Sequence, residues 1–144
     1  MGQEIREHNA DAIAQLGGRG VGALAESMGI RLVELTAERA VATMPVDGNT
    51  QPLGVVHGGA YVVLAETLGS MAANVSVYPE KVAVGIEVNA SHSRSAKAGI
   101  VTGTCRAISL GKSLTVHEIA ITDEEGRRLS TVRITNFIMD RPQN

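Results

Sequence analysis

In 144 residues cysteine occurs once, at Cys105, phenylalanine once, tyrosine twice and tryptophan not at all. A single cysteine excludes an intramolecular disulfide and suits a reducing compartment. With so few aromatic rings, no clustered basic stripe and a formal charge of -2, the chain offers nucleic acid neither a stacking platform nor an electrostatic footprint. His and Cys nowhere stand at a metal-binding spacing, so no metal is expected. The opening residues MGQEIREHNADAIAQ hold no apolar signal core, and Arg6 stands where a myristoylation signal needs Ser or Thr. The uncharged stretch before Glu66 falls short of the ~18 to 20 apolar residues of a membrane span. These absences lead to the expectation of a cytoplasmic protein of one domain, residues 1–144, with an N-terminal helical extension over 1–28.

What the chain does have is the run QPLGVVHGGAYVVLAETLGSMAANVS, Gln51 to Ser76. Pro52 and Gly54 mark a turn, and Gly58-Gly59 opens about five turns of helix that stop at Val77-Tyr78-Pro79. Tyr61, Val62, Val63, Leu64, Leu68, Met71 and Val75 spread round the helix and leave it no solvent face, so it is expected inside a core. One polar line remains: Glu66, Ser70 and Asn74, at i, i+4 and i+8, lie on a single face. Gly59, Ala60, Ala65, Gly69, Ala72 and Ala73 keep the helix thin enough for a sheet to approach its backbone. No basic residue between Gln51 and Lys81 can pair with Glu66. Two readings stand: a desolvated carboxylate put to use, or one satisfied by polar neighbours or wetted at a subunit interface.

Around this helix the pattern is that of strands. Residues 4–16 can form a short helix that Gly17-Gly18-Arg19-Gly20 stops, and 21–28 adds a turn or two. Ile30 to Thr36 and Arg39 to Val46 read as a hairpin, although Ala37-Glu38 is a weak turn signal. Val82, Val84, Ile86 and Val88 alternate with Ala83, Gly85, Glu87 and Asn89, the period of a strand buried on one face. Ile100 to Leu110, Ser113 to Thr122 and Arg127 to Met139 follow. Their short connections, at Lys97-Ala98-Gly99, Gly111-Lys112 and Asp123 to Gly126, suit antiparallel neighbours. The expected fold is α+β, a curled antiparallel sheet of about six strands with the long helix in its concave face.

The segments GVVHGGAYVVLAETLGSMAAN, VGIEVNASHSRSAKAGIVTG and SLGKSLTVHEIAITDEEGRRLS together resemble the hotdog-fold acyl-CoA thioesterases. The likeness spans about Gly29 to Phe137 and is greatest to the branch with Glu on the central helix. Members of that branch hydrolyse hydroxybenzoyl-CoA and dihydroxynaphthoyl-CoA or proofread enterobactin synthesis. The resemblance implies that Glu66 is the catalytic carboxylate and that Gln51 and His57 flank the thioester. It implies too that the Gly58 N–H polarises the carbonyl, Ser70 supports the attacking water, and His92 lines the acyl pocket beside Gly59. His92 shares parity with Val84, Ile86 and Val88, so an unbulged strand turns it to the buried side. Coenzyme A is then part of the substrate, with no separate cofactor. Of the cations Arg94, Lys97, Arg106, Lys112, Arg127 and Arg128, the best placed for phosphate or pantetheine is Lys112, with Ser113 and Arg94 beside the same substrate. Lys112 departs from the family's commoner Gly-Arg-Thr turn. His8 and His117 read as surface or packing residues.

The residue types suit the chemistry without the family. Thioester hydrolysis puts negative charge on a carbonyl oxygen, and bare N–H groups at a helix N-terminus are fixed donors for it. A carboxylate can serve as nucleophile or as base for water, and the thiolate leaves without a strong acid. Gly58 and Glu66, however, are eight residues apart, or ~12 Å along one helix. One carbonyl cannot touch both, so the site is expected to combine Gly58 of one subunit with Glu66 of another in a homo-oligomer, a dimer or a dimer of dimers. Alternatives are a hotdog dehydratase or hydratase, although its HFP and D-x-N-x-x-H patterns are missing, and a non-enzymatic acyl-CoA sensor, although residues 1–28 lack a basic helix-turn-helix. A Cys105 hydrolase has no partner visible in the sequence.

Overall fold

The computed structural model describes residues 20–143 together with 11, 13, 14 and 18. Of the helix expected over 4–16, Asp11, Ile13 and Ala14 are helical; its other residues and His8 lie outside the described residues. A short helix, α1 (Ala23–Ser27), leads into the hairpin β1 (Arg31–Leu35) and β2 (Arg39–Pro45). The weak turn between them is closed by Thr36, whose Oγ1 accepts the Arg39 N–H and whose N–H donates to the Arg39 carbonyl. Then come the long helix α2 (Gly58–Val77), and β3 (Lys81–His92), β4 (Ile100–Leu110), β5 (Leu114–Thr122) and β6 (Arg128–Asp140). The six strands form one antiparallel sheet in the order β1-β2-β4-β5-β6-β3.

Helix α2 lies across this sheet against every strand from β2 to β6. Ala60, Tyr61, Leu64, Ala65, Leu68, Gly69, Ala72 and Ala73 are buried there. Thinness is required on both sides of the contact. A Cβ at Gly69 would overlap Ile134, and one at Gly103 of β4 would stand 2.8 Å from Leu68 Cδ1. By length and hydropathy alone α2 would pass for a membrane span. Its length is thus no argument against one, and what uses its apolar surface is the packing against the sheet. Asn74 fastens the C-terminal half of the helix to β3: its Nδ2 donates to the Ala83 carbonyl at 2.9 Å and its Oδ1 accepts the Ala83 N–H at 3.0 Å.

Three expectations need correction. First, β3 does not pair with β4. It takes the free edge of β6, and the segment 93–99 carries the chain back across the sheet, held where Val56 N–H meets the Ala96 carbonyl and Val46 N–H the Gly99 carbonyl, both at 2.9 Å. Connection length restricts which neighbours are reachable but does not say which edge is open. Second, β3 is bulged between Gly85 and Glu87. Before the bulge Ala83 and Gly85 face inward while Val84 and Ile86 are 39% and 58% exposed; after it Val88 and His92 share a face with the buried Ile134 and Ser130. The inserted residue reverses the alternation, so His92, although exposed in the single chain, stands on the helix side of the sheet because the strand is bulged, not in spite of it. Third, α2 keeps an open face in the single chain, where Glu66 is exposed and Thr67, Ser70, Met71 and Asn74 are half-buried.

Candidate active site

The loop before α2 sets one side of the site. Asn49 Nδ2 donates to the carbonyls of Met28 and Pro45 at 2.7 and 2.9 Å, the Asn49 carbonyl accepts the His57 N–H, and a Thr50–Val56 bridge closes the turn. Within that turn Gln51 Oε1 accepts the Leu53 N–H at 2.5 Å, and among the described residues its Nε2 has no hydrogen-bond partner. His57 is the N-cap of α2, its Nδ1 accepting the Gly59 N–H at 2.8 Å. A neutral His57 ring therefore carries its proton on Nε2. The cap takes the Gly59 N–H and, among the described residues, leaves that of Gly58 without a hydrogen-bond partner. Gly59 permits this closeness, since a Cβ there would lie 3.0 Å from His57 Nδ1.

His92 closes over the same helix start. Its Nδ1 lies 2.8 Å from Ser130 Oγ, its ring is tilted against Tyr61 at 5.5 Å between centroids, and its Nε2 lies 2.7 Å from where a Gly58 Cβ would be. Gln51, Gly58, Tyr61, His92 and Arg94 line one cavity of about 310 Å³ with Val55, Val56, Ser93 and Ser95. Burial raises the Tyr61 phenol above its ordinary range, so it stays protonated. Tyr61 and Ser130 were not singled out from the sequence. Tyr61, the one aromatic residue of α2 and one turn from Gly58, carried a signal; Ser130 reaches His92 only through the β3–β6 register.

Glu66 and Ser70 open into a different groove, of about 250 Å³, lined also by Val21, Leu24, Val63, Thr67 and Met71. Among the described residues Glu66 has no ion-pair partner, and its Oε1 lies 3.2 Å from the position of a Gly85 Cβ. Ser70 Oγ donates to Asn136 Oδ1 at 3.4 Å. The two hollows share no residue, so within one chain the donor side and the carboxylate side stand apart. Lys112 and Ser113 are farther still. Lys112 lies in the β4–β5 turn beside Val77, Tyr78 and Lys81 at the C-terminal end of α2, about 30 Å along the helix from Gly58. Cys105 is buried with its thiol pushed up to about 12 by desolvation, which makes it a packing residue and not a nucleophile. His117 is also a packing residue, fully buried with its Nε2 2.9 Å from the Ala37 carbonyl.

Comparison with known proteins gives this geometry a setting. The sequence profile of the thioesterase superfamily matches residues 53–130. Over 120 residues the chain is 45% identical to the proofreading thioesterase EntH of Cronobacter turicensis, covering 83% of this chain and 88% of that protein. It is 42% identical over 125 residues to the 1,4-dihydroxy-2-naphthoyl-CoA hydrolase of Escherichia coli K12, covering 86% and 92%. A crystal structure of a thioesterase from Haemophilus influenzae superposes with a TM-score of 0.80 at 35% identity, over 85% of this chain and 86% of that one.

Proposed function

This chain belongs to the thioesterase superfamily and is a thioester hydrolase, and we propose that it cleaves an acyl-CoA with an aromatic acyl group in a site shared between two subunits. The observation that carries this reading is the separation of the hollow at Gly58 and His92 from the groove at Glu66 and Ser70. A second subunit, its α2 antiparallel about a two-fold axis, brings the exposed Glu66 face against the Gly58 end of the first. The same operation brings the partner's C-terminal helix end, with Lys112 and Ser113, toward the coenzyme. Aromatic acyl groups are favoured by the relatives named for dihydroxynaphthoyl-CoA and by the His92 and Tyr61 rings beside the donor.

In the reaction the Gly58 N–H, the Gln51 amide and the dipole of α2 hold the carbonyl oxygen as it becomes negative. Glu66 takes one proton from water while the water oxygen bonds the acyl carbon. The C–S bond then breaks with its electron pair on sulfur, and the Glu66 proton passes to the thiolate or to solvent. Ser70, one turn from Glu66 on the same face, offers that water a second contact. No step uses a separate cofactor. The test is a panel of aromatic and aliphatic acyl-CoAs assayed for kcat/KM with the wild type and with Glu66→Gln. The expected result is a preference for the aromatic members and a loss of about 10² or more in kcat for the variant at unchanged thermal stability. Full activity in Glu66→Gln would sink the catalytic assignment.

A further inference from the structure

Behind Ser70 the sheet presents a polar residue that the reaction above does not use. Asn136 lies on the inner face of β6, fully buried, in register with Gly85 on one side and Thr115 on the other. Its Nδ2 donates to the Gly69 carbonyl at 3.5 Å and its Oδ1 accepts from Ser70 Oγ at 3.4 Å. A carbonyl can only accept, so Gly69 determines which end of the amide faces the helix and leaves the oxygen toward Ser70. An amide oxygen can likewise only accept. The Ser70 hydroxyl must therefore spend its one proton inward, and only its lone pairs face the groove that it shares with Glu66. Gly85 keeps that space open: Glu66 Oε1 and Asn136 Oδ1 stand 3.2 and 3.7 Å from the single point where its Cβ would be.

We propose that Asn136 is a positioning residue that fixes the polarity of Ser70, so that Ser70 accepts one hydrogen of the attacking water while Glu66 accepts the other. This rests on the reading of Glu66 as the base. With both hydrogens held, one of the water's two lone pairs is directed at the acyl carbon, and the entropy of orienting it is lost before the reaction starts. A freely rotating Ser70 would also donate to the water or to Glu66 and would weaken the base it is meant to help.

The test is a cycle of Ser70→Ala, Asn136→Ala and the double variant, assayed on benzoyl-CoA with melting followed in parallel. Each single variant is expected to lose about tenfold or more in kcat with KM within about twofold, and the double variant to be no worse than the poorer single one. Asn136→Val, a strand former of similar bulk, repeats the comparison should the alanine variant not fold. Losses that multiply in the double variant, or a kcat within twofold of wild type in Asn136→Ala, would overturn the proposal. So would failure of both variants to fold, which would make the side chain structural. Glu66→Gln in the same assay keeps the two readings apart: activity there refutes the role of Glu66, whereas an inactive Glu66→Gln beside a fully active Asn136→Ala refutes only that of Asn136.

Discussion

Gly58→Ala adds one methyl group against the His92 ring. The new Cβ would stand 2.7 Å from His92 Nε2 and 2.8 Å from Cδ2, against a comfortable separation of about 3.5 Å, so the imidazole must retreat by roughly 1 Å. It cannot swing away freely, being held at Nδ1 by Ser130 Oγ at 2.8 Å and packed on Tyr61. For stability the two effects oppose: replacing a glycine in the first turn of a helix gains at most about 0.5 to 1 kcal/mol, and straining one hydrogen bond costs about as much. Melting should move by no more than a few degrees. Activity should not be spared, because a 1 Å displacement beside the reacting carbonyl costs on the order of 10²-fold. The assay is steady-state release of coenzyme A read with a thiol reagent, to which the buried Cys105 contributes no background in the folded protein. In a His92→Ala background the added methyl has nothing to strike, so Gly58→Ala/His92→Ala should match His92→Ala alone. A Gly58→Ala enzyme within twofold of wild type, or a penalty undiminished when His92 is gone, would refute the packing argument.

The shared site predicts complementation: an inactive Glu66→Ala subunit exchanged at 1:1 with one damaged at Gln51 and His57 should recover roughly a quarter of wild-type activity, since half the dimers carry one intact site of two. No recovery after proven exchange, or a fully active monomer by light scattering, would return Glu66 to a within-subunit role. Lys112→Ala should raise KM for acyl-CoA much more than for a thioester lacking the nucleotide, and less so at high salt; equal effects on both would remove Lys112 from the coenzyme. Burial lowers the His117 pKa below its ordinary 6.5, outweighing the opposing hydrogen bond to the Ala37 carbonyl. The unfolded chain then takes up the proton first, so the contribution is complete above pH 6.5 and is lost as pH falls through the folded value, by up to about 1.4 kcal/mol per unit. Denaturation at pH 8, 6.5 and 5 should show this slope, and His117→Gln should flatten it.

The local features were legible in the chain itself. The Gly-Gly start of α2, its stop before Pro79, the strands around it and the thin helical face follow from caps, breakers and period, all of which act over a few residues. The family is legible for the same reason, because its motifs lie on single elements. Relations between elements were decided only by the tertiary structure. That β3 takes the edge of β6, that a bulge at Gly85 turns His92 to the helix side and Ile86 outward, and that Ser130 and Asn136 stand behind His92 and Ser70 are all matters of register. Register depends on how two distant segments pair, and a one-residue slip exchanges the faces of a strand without altering its composition. The exposure of Glu66 has the same origin. Helical periodicity placed it on one line with Ser70 and Asn74, but which faces of α2 a single sheet covers is decided by the curvature and width of that sheet, and this one leaves the Glu66 face open.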